Sequence, residues 1–182
     1  GQEIRRLCLP VAGEGAVSRI RGAVREEPPL LVLCVGQAGG RFGVTPERVG
    51  LNLDDYGIPD NDGAQPVDVP IVPGGPAAYF STLPVKAMVQ AIREAGYPAS
   101  LSHSAGTYVC NHVLYGLLHF LAQEFPAVRG GFVHVPYAVS QAAEKTNAPS
   151  MAIRDMSAAL EAALLAALRQ TADSPLLFGQ TH

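Results

Sequence analysis

The 182-residue sequence contains no tryptophan, few charged side chains and no long apolar run. Charged residues make up 16% of the chain and the formal net charge is −3, without any basic run, which argues against a nucleic-acid partner. No apolar stretch approaches the roughly 18–20 residues that a membrane span requires, so no membrane partner is expected. The 48% hydrophobic content suits a globular protein, and we predict a single domain over residues 1–182.

Cysteine is scarce as well, and its spacing excludes two classes of small protein. Cys8, Cys34 and Cys110 are odd in number and far apart, which fits neither a disulfide framework nor a zinc knuckle. Free thiols of this kind are typical of a reducing compartment, so we expect a cytoplasmic protein.

Apolar periodicity predicts an alternation of strands and helices. The predicted strands are 3–9, 30–36, 47–56, 99–102 and 131–137, and the predicted helices are 14–26, 83–95, 107–124 and 150–171. Residues 57–76 are rich in proline and glycine and predict a long loop. This alternation is typical of an α/β domain whose largely parallel sheet is covered by helices on both faces.

The stretch SAGTYVCN, residues 104–111, places a thiol in the first turn of a predicted helix. If Thr107 is the N-cap, Cys110 falls at the third helical position, near unpaired backbone N–H groups and the positive end of the helix dipole. That position predicts a lowered thiol pKa and a nucleophile. The alternative is a small buried apolar residue, which is the interpretation we prefer for Cys8 and Cys34.

A catalytic thiol needs a base, and the predicted topology favours His134. Strand 99–102, the helix after it and strand 131–135 form one predicted βαβ unit, in which both strands run parallel. Their carboxyl ends then share one edge of the sheet with the helix start, where open α/β sheets place their sites. His134 is therefore the first candidate partner of Cys110, although a buried histidine with a structural hydrogen bond has the same pattern.

Other histidines and carboxylates remain open as alternatives. His103 lies near the same predicted edge and is the second candidate base, whereas His112 and His119 are expected to face solvent or packing. A carboxylate would orient the imidazole, and the residues alone leave four candidates: Glu47, Asp54, Asp55 and Asp60.

The stretch GQAGGR, residues 36–41, follows a predicted strand as a phosphate-binding loop would. It lacks the G-x-G-x-x-G spacing and no helix pattern follows it, which argues against a dinucleotide site. One interpretation is a tight turn that needs glycine backbone angles, and the functional alternative is that its backbone groups line a pocket.

Five stretches in register now point to one family: GQAGGR-x-x-V-T-P-E-R-V, I-P-D-N-x-G-x-Q-P, GGPAAYFSTLP, SAGTYVCNHVLYGLLH and GGFVHVPY. Over roughly residues 30–140 the chain resembles the pyroglutamyl peptidase I (pyrrolidone-carboxylate peptidase) family of cysteine peptidases. The resemblance implies a single-domain α/β/α sandwich with a mixed, largely parallel sheet of the phosphorylase/hydrolase-like kind. It also implies removal of N-terminal pyroglutamate (5-oxoproline) from peptides, in a cytosolic dimer or tetramer.

The site residues that the resemblance implies are a Cys-His-Glu triad at Cys110, His134 and Glu47. It further implies that the lactam of the substrate is lined by Gln37, Tyr108 and Val109. It requires no metal and no cofactor.

Two departures from the family pattern lead to alternative expectations. The family begins with a strand and a G-F-x-P-F-G loop that nothing here matches, so we expect a chain that begins near the family's second strand. The family arginine before I-P-D-N is replaced by Gly57. The alternatives are therefore a weak or inactive binding protein of the same fold, or a thiol amidase of altered specificity.

Overall fold

The computed structural model describes residues 3–178. The elements in chain order are α1 (Gly13–Glu26), β1 (Leu31–Gln37), β2 (Thr45–Pro46), β3 (Val49–Leu51), β4 (Ala78–Phe80), α2 (Val85–Glu94), α3 (Val109–Glu124), β5 (Arg129–Val135), β6 (Tyr137–Ala138), α4 (Val139–Ala142), β7 (Ser150–Met151) and α5 (Ile153–Arg169). In the part of the chain so described, no helix has the length and apolar character needed to cross a bilayer.

The central sheet is mixed and has the strand order β1-β5-β2. Strand β1 runs parallel to β5, whereas β2 runs antiparallel to it. Residues 98–102 continue the sheet beyond β2 through two parallel bridges, Val44 with Ala99 and Glu47 with Ser102. Two small pairs, β3 with β4 and β6 with β7, lie outside this sheet.

Helices cover both faces of the sheet because successive strand residues point to opposite sides. One face packs against α1 and α3, and the other packs against α2 and α5. The side chains of Val32, Cys34 and Phe132 lie on the first face. Those of Leu31, Leu33 and Val133 lie on the second. This arrangement confirms the predicted α/β/α sandwich with a mixed sheet, and the predicted extent of one domain over 1–182 stays a prediction.

Helix α2 shows how the pattern produces an element. Its buried residues Val85, Met88, Val89 and Ile92 recur at helical spacing and form one apolar face. The helix ends where Gly96 adopts a φ of 89°, a conformation that glycine reaches without a steric cost. The predicted helix over 83–95 is confirmed within two residues at its start.

Two predicted strands are wrong or too long. Residues 3–9 form no strand, because the segment has no sheet partner and only Leu9 of it packs against the core. Residues 47–56 form a strand only at β3. Beyond it the Leu53 carbonyl accepts from the Asn111 side chain, and Asp54 forms only an isolated bridge with Val69. The predicted loop over 57–76 is confirmed as irregular chain.

The predicted βαβ unit is also wrong. Residues 98–102 run parallel to residues 44–48, which themselves run antiparallel to β5. The segment is therefore antiparallel to β5 and is separated from it by β2. The two-residue strand β2 inserts between them, and so short a strand carries no periodic signal in the sequence. Helix α5 begins at Ile153 rather than 150, because β7 occupies Ser150 and Met151.

Candidate active site

Cys110 lies in the first turn of α3, with its side chain partly buried. The N-cap is Tyr108 and not Thr107, whose hydroxyl donates instead to the Asp55 carbonyl at 2.9 Å. Cys110 is therefore the second helical residue, and the expected third position is wrong. Its sulfur lies 3.1 Å from where a Cβ would stand at Gly36, the residue before the last of β1.

Asn111 fixes the start of α3 against β3. It is fully buried, and its Oδ1 accepts from the Leu51 N–H at 2.9 Å. Its Nδ2 donates to the carbonyls of Leu51 and Leu53 at 3.0 and 2.9 Å. These three bonds join the helix start to β3 and the residues after it, in addition to the pairing of β3 with β4, and hold the adjacent cysteine in place.

The alternation of side chains along β5 places His134 on the sheet face that lies toward α3. It pairs in register with Gly36 on one side and with Thr45 on the other. It also shares a face of β5 with Phe132, whose ring centroid lies 4.8 Å from that of the imidazole. Because that face packs against α3, the imidazole is turned toward the helix that carries Cys110.

Glu47 holds the opposite side of the imidazole. Its backbone N–H donates to the Phe132 carbonyl, so its side chain lies on the same face of the sheet as that of His134, one diagonal away. His134 Nδ1 and Glu47 Oε1 are 2.7 Å apart, and Glu47 is fully buried. With Nδ1 bonded to the carboxylate, Nε2 is left for chemistry on the cysteine side.

The thiol pKa is opposite in direction to the one expected from the helix dipole. Burial, the largest cause, and the Glu47 carboxylate together raise the pKa of Cys110 to about 11, against a smaller lowering by the Arg41 guanidinium. Burial also raises the pKa of Cys34 to about 12. The expectation of a lowered pKa is therefore wrong, and deprotonation of Cys110 requires a base.

The three residues expected to line the substrate lie next to this corner along the chain, but the alternation of β1 places the Gln37 side chain on the sheet face opposite His134. Gln37 ends β1 and is exposed, and its Oε1 accepts from Gln141 Nε2 at 2.7 Å. Tyr108 directs its hydroxyl to the Pro59 carbonyl at 3.0 Å. The Val109 side chain is buried in the core formed with α1, so only its backbone faces the site.

The other candidate carboxylates are engaged elsewhere. Asp54 Oδ2 lies 2.8 Å from Nδ1 of His112, and both side chains are buried. Asp60 is buried and accepts backbone N–H groups from the loop and from the start of α1, and Asp55 is exposed. His112 therefore faces neither solvent nor purely apolar packing, because it forms a buried pair of its own.

His119 and His103 make their contacts with residues other than Cys110. His119 stacks on Tyr115, and its Nδ1 lies 3.1 Å from the Tyr79 hydroxyl. His103 lines an open groove of about 430 Å³ beside Phe42. Among the residues from 3 to 178, no cluster of three or more His, Cys, Asp or Glu side chains is arranged to hold a metal ion.

The predicted tight turn after β1 is confirmed, and it contains a residue whose part in the site sequence reasoning did not assign. Gly40 adopts a φ of 90°. Arg41 then turns back and donates from Nη1 to Glu47 Oε1 at 2.7 Å. In the sequence, Arg41 and Glu47 are six residues apart across this turn. That separation alone does not predict their contact, which depends on the pairing of the sheet. Gly57 is exposed, and a Cβ there would meet no atom within 4 Å.

The comparisons with known proteins agree with one another. The family model described as Pyroglutamyl peptidase matches residues 1–170. The chain is 54% identical over 182 residues to a pyrrolidone-carboxylate peptidase of Klebsiella pneumoniae (strain 342), covering 100% of this chain and 85% of that protein. It is 56% identical over 184 residues to a pyrrolidone-carboxylate peptidase of Streptomyces coelicolor, with the same two coverages.

Solved structures give the same result. The pyroglutamyl peptidase I from Bacillus amyloliquefaciens superposes with a TM-score of 0.90 at 42% identity, over 93% of this chain and 80% of that one. The pyrrolidone carboxyl peptidase from Thermococcus litoralis superposes with a TM-score of 0.84 at 39% identity, over 88% of this chain and 76% of that one.

Proposed function

The chain belongs to the pyroglutamyl peptidase family, and from this premise we propose that Cys110, His134 and Glu47 are its nucleophile, general acid–base and orienting carboxylate. Members of this family are cysteine peptidases, and the reaction is removal of N-terminal pyroglutamate from peptides. The observation that supports these roles best is the 2.7 Å contact between His134 Nδ1 and the buried Glu47 Oε1, on the sheet face that packs against the helix carrying Cys110.

Acylation begins with proton transfer, because the raised pKa of Cys110 keeps the resting thiol protonated. His134 Nε2 takes the proton from Sγ, and the sulfur attacks the carbonyl carbon that links pyroglutamate to the next residue. Glu47 keeps the Nδ1 proton of His134 in place and stabilises the imidazolium that forms. The tetrahedral intermediate then collapses, the C–N bond breaks, and His134 returns its proton to the leaving amine.

Deacylation reverses these roles on a water molecule. His134 removes a proton from water, the oxygen attacks the thioester carbon, and the C–S bond breaks. Cys110 leaves as a thiol after it receives the proton from His134, and free pyroglutamate is released.

The negative oxygen of the intermediate needs donors, and the start of α3 supplies them. The N–H groups of Asn111 and His112 donate to the Tyr108 carbonyl, which leaves those of Val109 and Cys110 as the donors at the helix start. Two backbone donors near a developing charge form an oxyanion hole. The small uncharged lactam then rests against the aromatic face of Tyr108 and the backbone at Gln37.

An affinity label tests the nucleophile and the lactam preference together. A pyroglutamyl chloromethyl ketone should alkylate Cys110, as mapped by mass spectrometry, while the buried Cys34 stays unmodified. The matched prolyl reagent lacks the lactam carbonyl and should react far more slowly. Equal rates for the two reagents, or labelling that spares Cys110, would contradict the proposal.

Glu47→Gln tests the orienting role. The amide keeps the size of the side chain but loses its charge, so kcat should fall by about 10²–10⁴-fold. KM should change little, because the side chain is fully buried behind His134. A kcat within a few-fold of wild type would remove Glu47 from the mechanism.

The setting of the enzyme is part of the same proposal. We infer that it acts in the cytoplasm as a homo-oligomer, a dimer or a tetramer, on peptides that carry an N-terminal pyroglutamate. The three cysteines, none of them in a disulfide, suit a reducing compartment. Light scattering at several protein concentrations gives the assembly directly, and a monomer at all of them would contradict this part.

A further inference from the structure

Arg41 connects three parts of the site that come from distant places in the sequence. Its Nη1 donates to Glu47 Oε1 at 2.7 Å and also contacts the Thr45 hydroxyl. Its Nη2 donates to the Ser104 carbonyl at 3.4 Å, in the segment that leads into α3. One guanidinium therefore contacts β2, the orienting carboxylate and the approach to the helix that carries Cys110.

The carboxylate it contacts needs a compensating charge. Glu47 is 0% exposed, and a buried carboxylate without a paired cation is costly. Its Oε1 accepts from both Arg41 and His134, while Oε2 is buried with no hydrogen-bond partner in the described part of the chain. The resting imidazole is not a permanent cation, whereas an arginine always is.

We propose that Arg41 is a positioning residue for the reaction: its guanidinium compensates the buried charge of Glu47 and fixes the oxygen that holds His134 Nδ1. This inference rests on the proposed roles of Cys110, His134 and Glu47. The side-chain hydrogen bonds of Arg41 go to Glu47, Thr45 and the Ser104 carbonyl, all of them protein groups.

The charge of Arg41 also acts across the site. It lowers the pKa of Cys110 against the stronger effects of burial and of Glu47. Removing the charge should therefore make the thiol harder to ionise as well as loosen the imidazole. These two effects act on the chemical step and leave the lactam contacts unchanged.

The experiment compares Arg41→Met with Arg48→Met. Arg48 is one residue beyond Glu47 and is also partly buried, but it lines a different groove, beside Asp173. With pyroglutamyl-7-amino-4-methylcoumarin, Arg41→Met should lose kcat by about 10–100-fold, which corresponds to a charge-assisted hydrogen bond to a buried group. KM should stay within about twofold, and Arg48→Met should match wild type in both constants.

Arg41→Lys separates charge from geometry. The ammonium keeps the positive charge but lacks the planar fork that contacts both Glu47 and Thr45. Its kcat should lie between those of wild type and Arg41→Met. A lysine variant as poor as Arg41→Met, with thermal unfolding unchanged, would overturn charge compensation as the cause.

Alkylation of Cys110 by iodoacetamide gives a readout that needs no peptidase activity. Since the guanidinium lowers the thiol pKa, Arg41→Met should shift the rate–pH curve to higher pH, and Arg48→Met should not. An unshifted curve overturns the inference even if turnover falls. If wild type shows no Cys110-dependent turnover, the proposed function fails, while the alkylation curves still decide the role of Arg41. Turnover in wild type with equal kcat in Arg41→Met would leave the function intact and overturn this inference alone.

Discussion

Replacement of Asn111 by alanine should be among the most destabilising single changes near the site. The side chain is fully buried and makes three hydrogen bonds, at 2.9, 3.0 and 2.9 Å, to the backbone of Leu51 and Leu53. At about 1 kcal/mol net for each bond, the loss is roughly 3 kcal/mol. The unpaired N–H of Leu51 and the cavity add to this, so we expect about 3–4 kcal/mol from the free energy of unfolding. That is a large fraction of a typical total of about 5–15 kcal/mol.

Urea unfolding followed by circular dichroism measures this change, provided that the m-values agree between variants. Asn111→Leu fills the space without restoring the bonds and should still lose at least about 2 kcal/mol. Asn61→Ala is the matched control, since that side chain is exposed, and it should stay within about 0.5 kcal/mol of wild type. If Asn111→Leu also stays within about 0.5 kcal/mol of wild type, the hydrogen bonds do not hold the helix start and the reasoning fails.

Two further predictions concern the thiol and its surroundings. Gly36→Ala places a Cβ 2.7 Å from the Phe132 ring and 3.1 Å from the Cys110 sulfur. It should therefore lower the free energy of unfolding by about 1–3 kcal/mol and also lower kcat. The control, Gly22→Ala on the open surface of α1, should do neither. A Gly36→Ala enzyme with wild-type stability and kcat would mean that this close packing does not shape the site. In the second prediction, the raised pKa means that alkylation of Cys110 should rise about tenfold per pH unit from about pH 7 to 10. A plateau for Cys110 near neutral pH would show a preformed thiolate instead.

The parts of the fold that the sequence predicts are those with a local periodic signal. Helix α2 follows from apolar residues at helical spacing and a glycine after its last turn, and β1 follows from a continuous apolar run. The prediction that His134 is the partner of Cys110 rests on a βαβ unit that the structure does not contain. Strand β2 lies between the two segments that this unit would place side by side. His134 faces the helix that carries Cys110 for a different reason, the alternation of β5 against α3.

The electrostatics of the site depend on contacts that no local pattern carries. The residues alone left four carboxylates open, and the family resemblance pointed to Glu47. Its contact with Arg41 depends on a turn that folds the chain back onto β2. The helix start predicts a lowered thiol pKa for Cys110, but burial against Gly36 outweighs it. Burial depends on the whole packed structure, which is why the direction of this pKa could not be read from the helix start.

Hydrolysis of pyroglutamyl-7-amino-4-methylcoumarin by the 182-residue chain tests the central claim most directly, with Cys110→Ala as the matched variant and the prolyl amide as the matched substrate. We expect turnover of the pyroglutamyl amide by wild type, none by Cys110→Ala, and little turnover of the prolyl amide by either. Turnover that survives in Cys110→Ala would contradict the nucleophile. A folded wild-type chain that releases no coumarin would contradict the peptidase activity itself.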